Sequence, residues 1–246
     1  MSCSYYYDNV FISAATKGNQ RSARVLTAML ASRLNPLSVV DFGCAEGGWL
    51  AAWREQGVTD ILGLDGAYVN QDRLLIPQAS FKVVDLTQSV DLGRRFDLAM
   101  SVEVAEHLPQ HAASTFVESL TCHADLVLFS AATPGQGGEQ HINEQSYEYW
   151  RDIFIKYDYV MLNWCRDEIK NNREVQPWYR YNLFLFVNKN KLNQLPTVMT
   201  DTLLPPEIPV PDMAPWWYRV RKQVVRRLPF FLCQWMAKCA VRIRAY

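Results

Sequence analysis

A chain of 246 residues with 49% hydrophobic content suits one sizeable domain, or one domain with an appendage. Formal charge is zero but unevenly placed: eight of the 25 basic residues lie beyond Asp212 and no acid does, so residues 1–212 carry −8 and residues 213–246 carry +8. The acidic body disfavours a phosphate-rich polymer as ligand, so nucleic acid is not the expected partner. The start, Met1 to Asp8, lacks the basic and apolar regions of a signal peptide, and no apolar run approaches the ~18 residues of a membrane span. Six cysteines form no C-x-x-C pair and no zinc spacing, as expected of thiols in a reducing, cytoplasmic setting.

In chain order, residues 1–20 show no clear period and are expected to be an irregular lead-in or lid. Arg21 to Leu34 places Val25, Leu26, Met29, Leu30 and Leu34 on one helical stripe, and Asn35-Pro36 ends it. A first strand over Val39-Val40 stops at Asp41, and the turn Phe42-Gly43-Cys44-Ala45-Glu46-Gly47-Gly48 leads into an amphipathic helix from Trp49 that Gly57 closes. Such a strand, tight turn and helix form a nucleotide-binding unit, because small residues admit the ligand to the backbone and the helix N-terminus offers free N–H groups.

A second strand, Thr59 to Leu64, ends in Asp65-Gly66, and a third, Phe81 to Val84, ends in Asp85-Leu86. The fourth, Phe96 to Ser101, is followed by Val102-Glu103-Val104-Ala105-Glu106-His107-Leu108-Pro109 and a helix from about Pro109 to Leu120. The fifth, Asp125 to Ser130, is nearly all apolar, as a strand covered on both faces should be. A long glycine-rich loop carries His141, a helix follows from Ser146 to Tyr157, and Tyr159–Trp164 and Tyr181–Val187 read as the last two strands. Alternating strands and helices predict a doubly wound, mostly parallel, seven-stranded Rossmann-like α/β sheet. Residues 21–190 would form this domain, residues 191–215 a proline-rich extended linker, and residues 216–246 a basic aromatic C-terminal appendage.

Three acids, Asp41, Asp65 and Asp85, follow successive strands, where an open parallel sheet binds its ligands. Asp65 lies 22 residues beyond Gly43, the offset of an acid that accepts ribose hydroxyls. That feature is shared with NAD-binding folds, but Gly43-x-Ala45-x-Gly47 is not their G-x-G-x-x-G.

On these residues the chain resembles the class I S-adenosylmethionine-dependent methyltransferases over roughly residues 21–187. Val39 to Gly47 looks like their first motif, with Ala45 in place of the usual second glycine. Leu62 to Gly66 resembles the ribose-binding motif, Val83 to Leu86 the adenine-side motif, and Phe96 to Pro109 the motif under the methionine moiety. The resemblance implies S-adenosyl-L-methionine as cofactor, held by Asp41, Gly43, Cys44, Ala45, Gly47, Asp65, Gly66, Asp85, Leu86, Ser101 and Glu103. Phe129 to Gly138, His141 to Gln145, Tyr149-Trp150 and Trp178 to Asn182 are similar to small bacterial methyltransferases that accompany glycosyltransferases and other sugar-processing enzymes. This implies transfer to a hydroxyl, or an amine, of a small-molecule or glycan acceptor.

His107 and His141 are the candidate catalytic bases, with Glu106 orienting His107 or capping the next helix. No metal is assigned, and activity is expected to survive chelation. An alternative uses the same residues: Glu103-x-x-Glu106-His107 with His141 resembles the metal site of RNA 3′-terminal 2′-O-methyltransferases, which act on a vicinal diol. A third reading is a catalytically weak scaffold recruited to a membrane. The tail's basic residues, interleaved with Trp and Phe, suggest peripheral contact with anionic lipid and a segment dispensable for folding.

Overall fold

The computed structural model describes residues 9–229, 232–233 and 235–237. Helix α1 (Asn9–Leu34) leads into β1 (Ser38–Phe42), α2 (Gly48–Glu55) and β2 (Asp60–Asp65). Next come β3 (Phe81–Val83), β4 (Leu98–Val102), α3 (Ala113–His123) and β5 (Leu126–Ser130). The second half holds α4 (Tyr147–Ile155), β6 (Tyr159–Leu162), α5 (Trp164–Ile169), α6 (Pro177–Asn182) and β7 (Phe184–Asn188). Two short elements, α7 (Thr197–Thr200) and β8 (Leu203–Leu204), precede α8 (Trp216–Val225).

The strands make one sheet in the order β3-β2-β1-β4-β5-β7-β6-β8. The pairings from β3 through β5 are parallel, while β7 runs antiparallel to β5 and β6. The central strands are covered on both faces, so consecutive apolar residues enter opposite cores. Val39, Leu98, Met100 and Leu128 face α1, α2 and α5; Val40, Ala99, Val127 and Phe129 face α3 and α4. The order reverses at β1 and β4, and the crevice beyond their carboxyl ends is where such sheets bind ligands.

Several expectations change. The lead-in is helical from Asn9, continuous with the predicted helix; residues 1–8 lie outside the described residues. Helix α3 starts at Ala113 because single 3₁₀ turns at Ala105–His107 and Gln110–Ala112 take up the chain after β4. Trp164 and Tyr181 belong to helices α5 and α6 rather than to the last strands. An eighth strand joins the edge, with Leu203 and Leu204 pairing antiparallel with β6.

The proline-rich stretch is not a free linker. Arg151, buried on α4, donates to the carbonyls of Pro205, Pro206 and Ile208 at 2.7–2.9 Å, and Val210 is buried with its N–H on Glu148. Proline removes N–H donors but leaves its carbonyls, and one guanidinium gathers three carbonyls of this stretch. Helix α8 then packs Tyr218, Lys222 and Val225 inward. The described part of the tail therefore lies against the domain. Among the described residues no helix is long and apolar enough to cross a membrane.

Candidate active site

The turn after β1 is built by backbone geometry. Gly43 has φ 92°, and a Cβ there would stand 2.4 Å from Val104, so the chain after β4 can lie close only over a glycine. Ala45 also occupies the left-handed region, at φ 48°, a conformation in which a β-carbon is strained. The N–H groups of Gly43 and Cys44 both donate to the Leu64 carbonyl, tying this turn to the end of β2. Asp65 closes that strand: its carboxylate accepts from the N–H of Ala45 and of Gly66, each at 2.7 Å, and from the Tyr68 hydroxyl. Burial pushes the Asp65 carboxyl above the usual range, while those donors oppose the shift.

Asp41 does not line an open strand end. It is buried within β1, its Oδ2 makes no hydrogen bond among the described residues, and burial followed by Asp65's charge pushes its carboxyl well up. The same environment, burial first and then Asp41 and Asp65, pushes up the buried Cys44 thiol. Asp85 is exposed two residues beyond β3, where it accepts from the Thr87 hydroxyl and N–H and is held below the usual carboxylate range by them. Its neighbour Leu86 is buried in the core. Ser101 is buried on β4 with its Oγ unpartnered among the described residues.

The segment after β4 carries the second half of the site. Glu103 sits at φ 57°, its N–H bonded to Ser130, and its carboxylate accepts from Gln136 at 2.6 Å. Asn182 on α6 donates to Gln136 Oε1 at 2.7 Å and is approached by the Tyr147 hydroxyl. Glu103 is thus engaged by Gln136, and it is not one of the three residues whose ligand atoms converge nearby.

Those three are Glu106, His107 and His141, with one donor atom from each lying within 4.8 Å of the others. The imidazoles meet edge to face with centroids 5.0 Å apart. Backbone bonds fix this meeting: the N–H groups of Ile142 and Asn143 both donate to the Glu106 carbonyl at 3.0 Å. His107 donates from Nδ1 to the Gln140 carbonyl and His141 donates from Nδ1 to Glu144, while the Nε2 edge of the His141 ring lies against Gly138, where a Cβ would stand 2.1 Å from it.

Burial, then His141, pushes the His107 imidazole down to about 3, so it is neutral at physiological pH. The Glu106 carboxyl is fully buried and has no hydrogen-bond partner on either oxygen among the described residues. Burial, then the Glu103 charge, holds it well above the usual range, and nearby backbone amides of Glu106 and Ala132 only partly oppose this. Among the described residues neither Glu106 oxygen makes a hydrogen bond to His107.

Four residues had no assigned role in the sequence. Glu144 gathers the N–H groups of Gly135 and Gly137 as well as His141, and so folds the whole loop. Gln136 and Asn182 satisfy Glu103, and Tyr68 covers Asp65. All are polar residues within quoted motifs or beside them, but only folding shows which partner each meets. A surface cavity of about 430 Å³ lined by Arg94, Arg95, Glu118 and His123 lies at the amino ends of β4 and β5, away from this chemistry. Its His123 is already held by the Ser119 carbonyl and the Leu92 N–H.

A family model described as a methyltransferase domain matches residues 15–163, more than half of the chain. No curated protein matches it in sequence. Among solved structures, the sugar N-methyltransferase KedS8 from Streptoalloteichus sp ATCC 53650 is similar, with 15% identity, a TM-score of 0.58, and cover of 76% of this chain and 97% of that one. The methyltransferase domain of a bacterial Hen1, CtHen1-C, shows 20% identity, a TM-score of 0.52, and cover of 69% and 98%. The magnesium protoporphyrin IX methyltransferase of Synechocystis PCC 6803, solved with S-adenosylmethionine bound, shows 17% identity, a TM-score of 0.51, and cover of 75% and 86%. The fold, the cofactor-type turn after β1 and the family match converge: the chain belongs to the methyltransferase-domain family and is a class I S-adenosylmethionine-dependent methyltransferase.

Proposed function

We propose that this protein transfers a methyl group to a hydroxyl, or an amine, of a small polar acceptor such as a sugar or glycan, held against Glu106, His107 and His141. The observation that carries the reading is the convergence of His107 and His141 beside the buried Glu106 carboxyl, with His141 Nδ1 held by the Glu144 carboxylate at 2.9 Å. The acceptor class draws on the motif resemblance and on the fold shared with a sugar N-methyltransferase.

The residues present fit the cofactor. Asp65 already accepts one hydroxyl donor, from Tyr68, which is the kind of bond a ribose hydroxyl would make. The turn Gly43–Gly47 and the start of α2 would lie along the amino-acid portion, with Cys44, Ala45 and Gly66 at its edges, Asp85 and Leu86 on the adenine side, and Asp41, Ser101 and Glu103 beneath. When bound, the cofactor supplies an electrophilic methyl group on a sulfonium. His141 would take the proton of an acceptor hydroxyl, leaving its oxygen able to receive the methyl group that the cofactor would supply. Its Nδ1–H bond to Glu144 stabilises the resulting imidazolium. His107, held neutral by burial, accepts a hydrogen bond and aligns the acceptor, and alignment supplies most of the rate in such a displacement.

A second reading is favoured by the convergence of Glu106, His107 and His141: one oxygen and two imidazole nitrogens within 4.8 Å form a donor set for a divalent cation. The acceptor would then be a vicinal diol, of which an RNA 3′ end is one example. Mass spectrometry of metabolites, glycans and RNA from cells with and without the protein tests the acceptor class, and methylation confined to RNA or protein overturns the first reading. Turnover in chelator separates the two mechanisms. Undiminished activity supports the general base; loss restored by Mg²⁺ or Mn²⁺ supports the cation.

A further inference from the structure

Helix α8 has two apolar faces where a helix at a protein surface ordinarily has one. The inner face, Tyr218, Lys222 and Val225, is buried against the domain. The outer face presents Trp216 and Val220 and Val224 one turn apart, with Trp217 beside them, and these are 71%, 54%, 56% and 53% exposed respectively. At about 100° per residue this apolar arc spans roughly 100° of the helix. Arg219 and Arg226, both exposed, flank it on one side, and Arg221 on the other turns its guanidinium to the Gln136 carbonyl of the domain. Trp235 and Met236 are further large exposed apolar residues shortly beyond. A contiguous exposed patch of this kind marks an interaction site rather than a solvated surface.

The charge around the patch selects the partner. Residues 213–246 carry eight cations and no acid, whereas the rest of the chain is acidic. A narrow apolar strip edged by arginines, with two tryptophans at its start, matches a surface on which acyl chains lie beneath anionic phosphates: aromatic rings settle at that boundary and guanidinium groups pair with the phosphates. We propose that the outer face of α8 docks this protein onto an anionic lipid surface, with the helix lying in the plane of the interface.

The inner face of the same helix grips the loop that carries His141, so docking would bring the active-site loop beside the membrane. Arg221 donates to the Gln136 carbonyl at 2.9 Å, and Lys222 contributes both its ammonium, to Thr133, and its carbonyl, over Gly135. This inference stands apart from the choice of acceptor, since it rests on the opposite side of the helix.

Co-sedimentation of the full chain with phosphatidylcholine vesicles, with and without phosphatidylglycerol, tests it. Binding is expected only with phosphatidylglycerol and should fall as salt rises. Exchanging Trp216→Ala together with Trp217→Ala should lower partitioning by at least on the order of tenfold. Arg219→Ser and Arg226→Ser should each lower it by about fivefold. Because all four side chains are exposed, thermal unfolding and S-adenosylmethionine binding should be unchanged in these variants, which separates lost docking from lost folding. Equal binding to neutral vesicles, or unchanged partitioning of the tryptophan pair variant, overturns the proposal. So does self-association of the wild type that the tryptophan exchange abolishes while vesicles are ignored, since the patch would then be covered by a second copy.

Discussion

Glu144 Oε1 accepts a hydrogen bond from His141 Nδ1 at 2.9 Å while the same carboxylate accepts from the N–H groups of Gly135 and Gly137 at 2.7 and 2.8 Å. One side chain therefore fixes both the tautomer of the candidate base and the loop that presents it. Glu144→Gln keeps the size but replaces one acceptor oxygen with a donor, so at least one of these bonds is lost. We expect turnover to fall by about 10–100-fold with cofactor affinity nearly unchanged. Steady-state kinetics beside calorimetric titration check this, and an equal loss in both would show that Glu144 acts only through folding.

Asp65 is expected to hold the cofactor's ribose, and Asp65→Asn leaves the shape while weakening the acceptor. The predicted loss of S-adenosylmethionine affinity is about 1.5–3 kcal/mol, roughly ten- to a hundredfold, read by calorimetry. Unaltered affinity would remove Asp65 from the binding site.

The buried carboxyl of Asp41 predicts a pH-dependent gain from Asp41→Asn. Its folded value is raised above the unfolded 3.8, so its contribution to stability is fully present below that pH and is lost as pH rises through the folded value. Wild type and variant should therefore melt alike near the unfolded value and diverge as pH rises, with the variant more stable. Leaving such a group ionised and unpaired costs on the order of 1–3 kcal/mol. Each kcal/mol is worth about 2–4 °C in a domain of this size. Melting curves across pH would refute this if the difference stayed constant.

Lys222 is buried with its ammonium 2.6 Å from Asp212 Oδ2 and 3.4 Å from Thr133 Oγ1. Lys222→Met should leave Asp212 without its cation and loosen α8 from the loop. Asp212 is partly open to solvent, so we expect a loss of about 2–3 kcal/mol rather than the larger loss of a fully enclosed pair. Chemical denaturation measures it, and a drop in turnover should accompany it because the His141 loop leans on this helix. A variant as stable and active as wild type would show that α8 rests loosely on the domain.

What the sequence determined was local and periodic. The apolar runs at β1, β4 and β5, the glycine turn, and acids at or near the ends of β1, β2 and β3 point to a doubly wound sheet and its ligand edge, because strand pattern and turn geometry are set by neighbouring residues. The chain also offered His107, His141, Glu106 and Asp65 as candidates for the chemistry. Tertiary structure decided their pairings. His141 reaches His107 across 34 positions only because Ile142 and Asn143 bond to the Glu106 carbonyl. Glu103 looked like a partner of that cluster and is instead satisfied by Gln136. The prolines after Lys191 read as a linker since proline disfavours regular elements, yet their free carbonyls are what Arg151 gathers. The basic, aromatic character of the tail was legible, but which face of α8 would be buried depended on a loop some 85 residues earlier, where Gln136 meets Arg221.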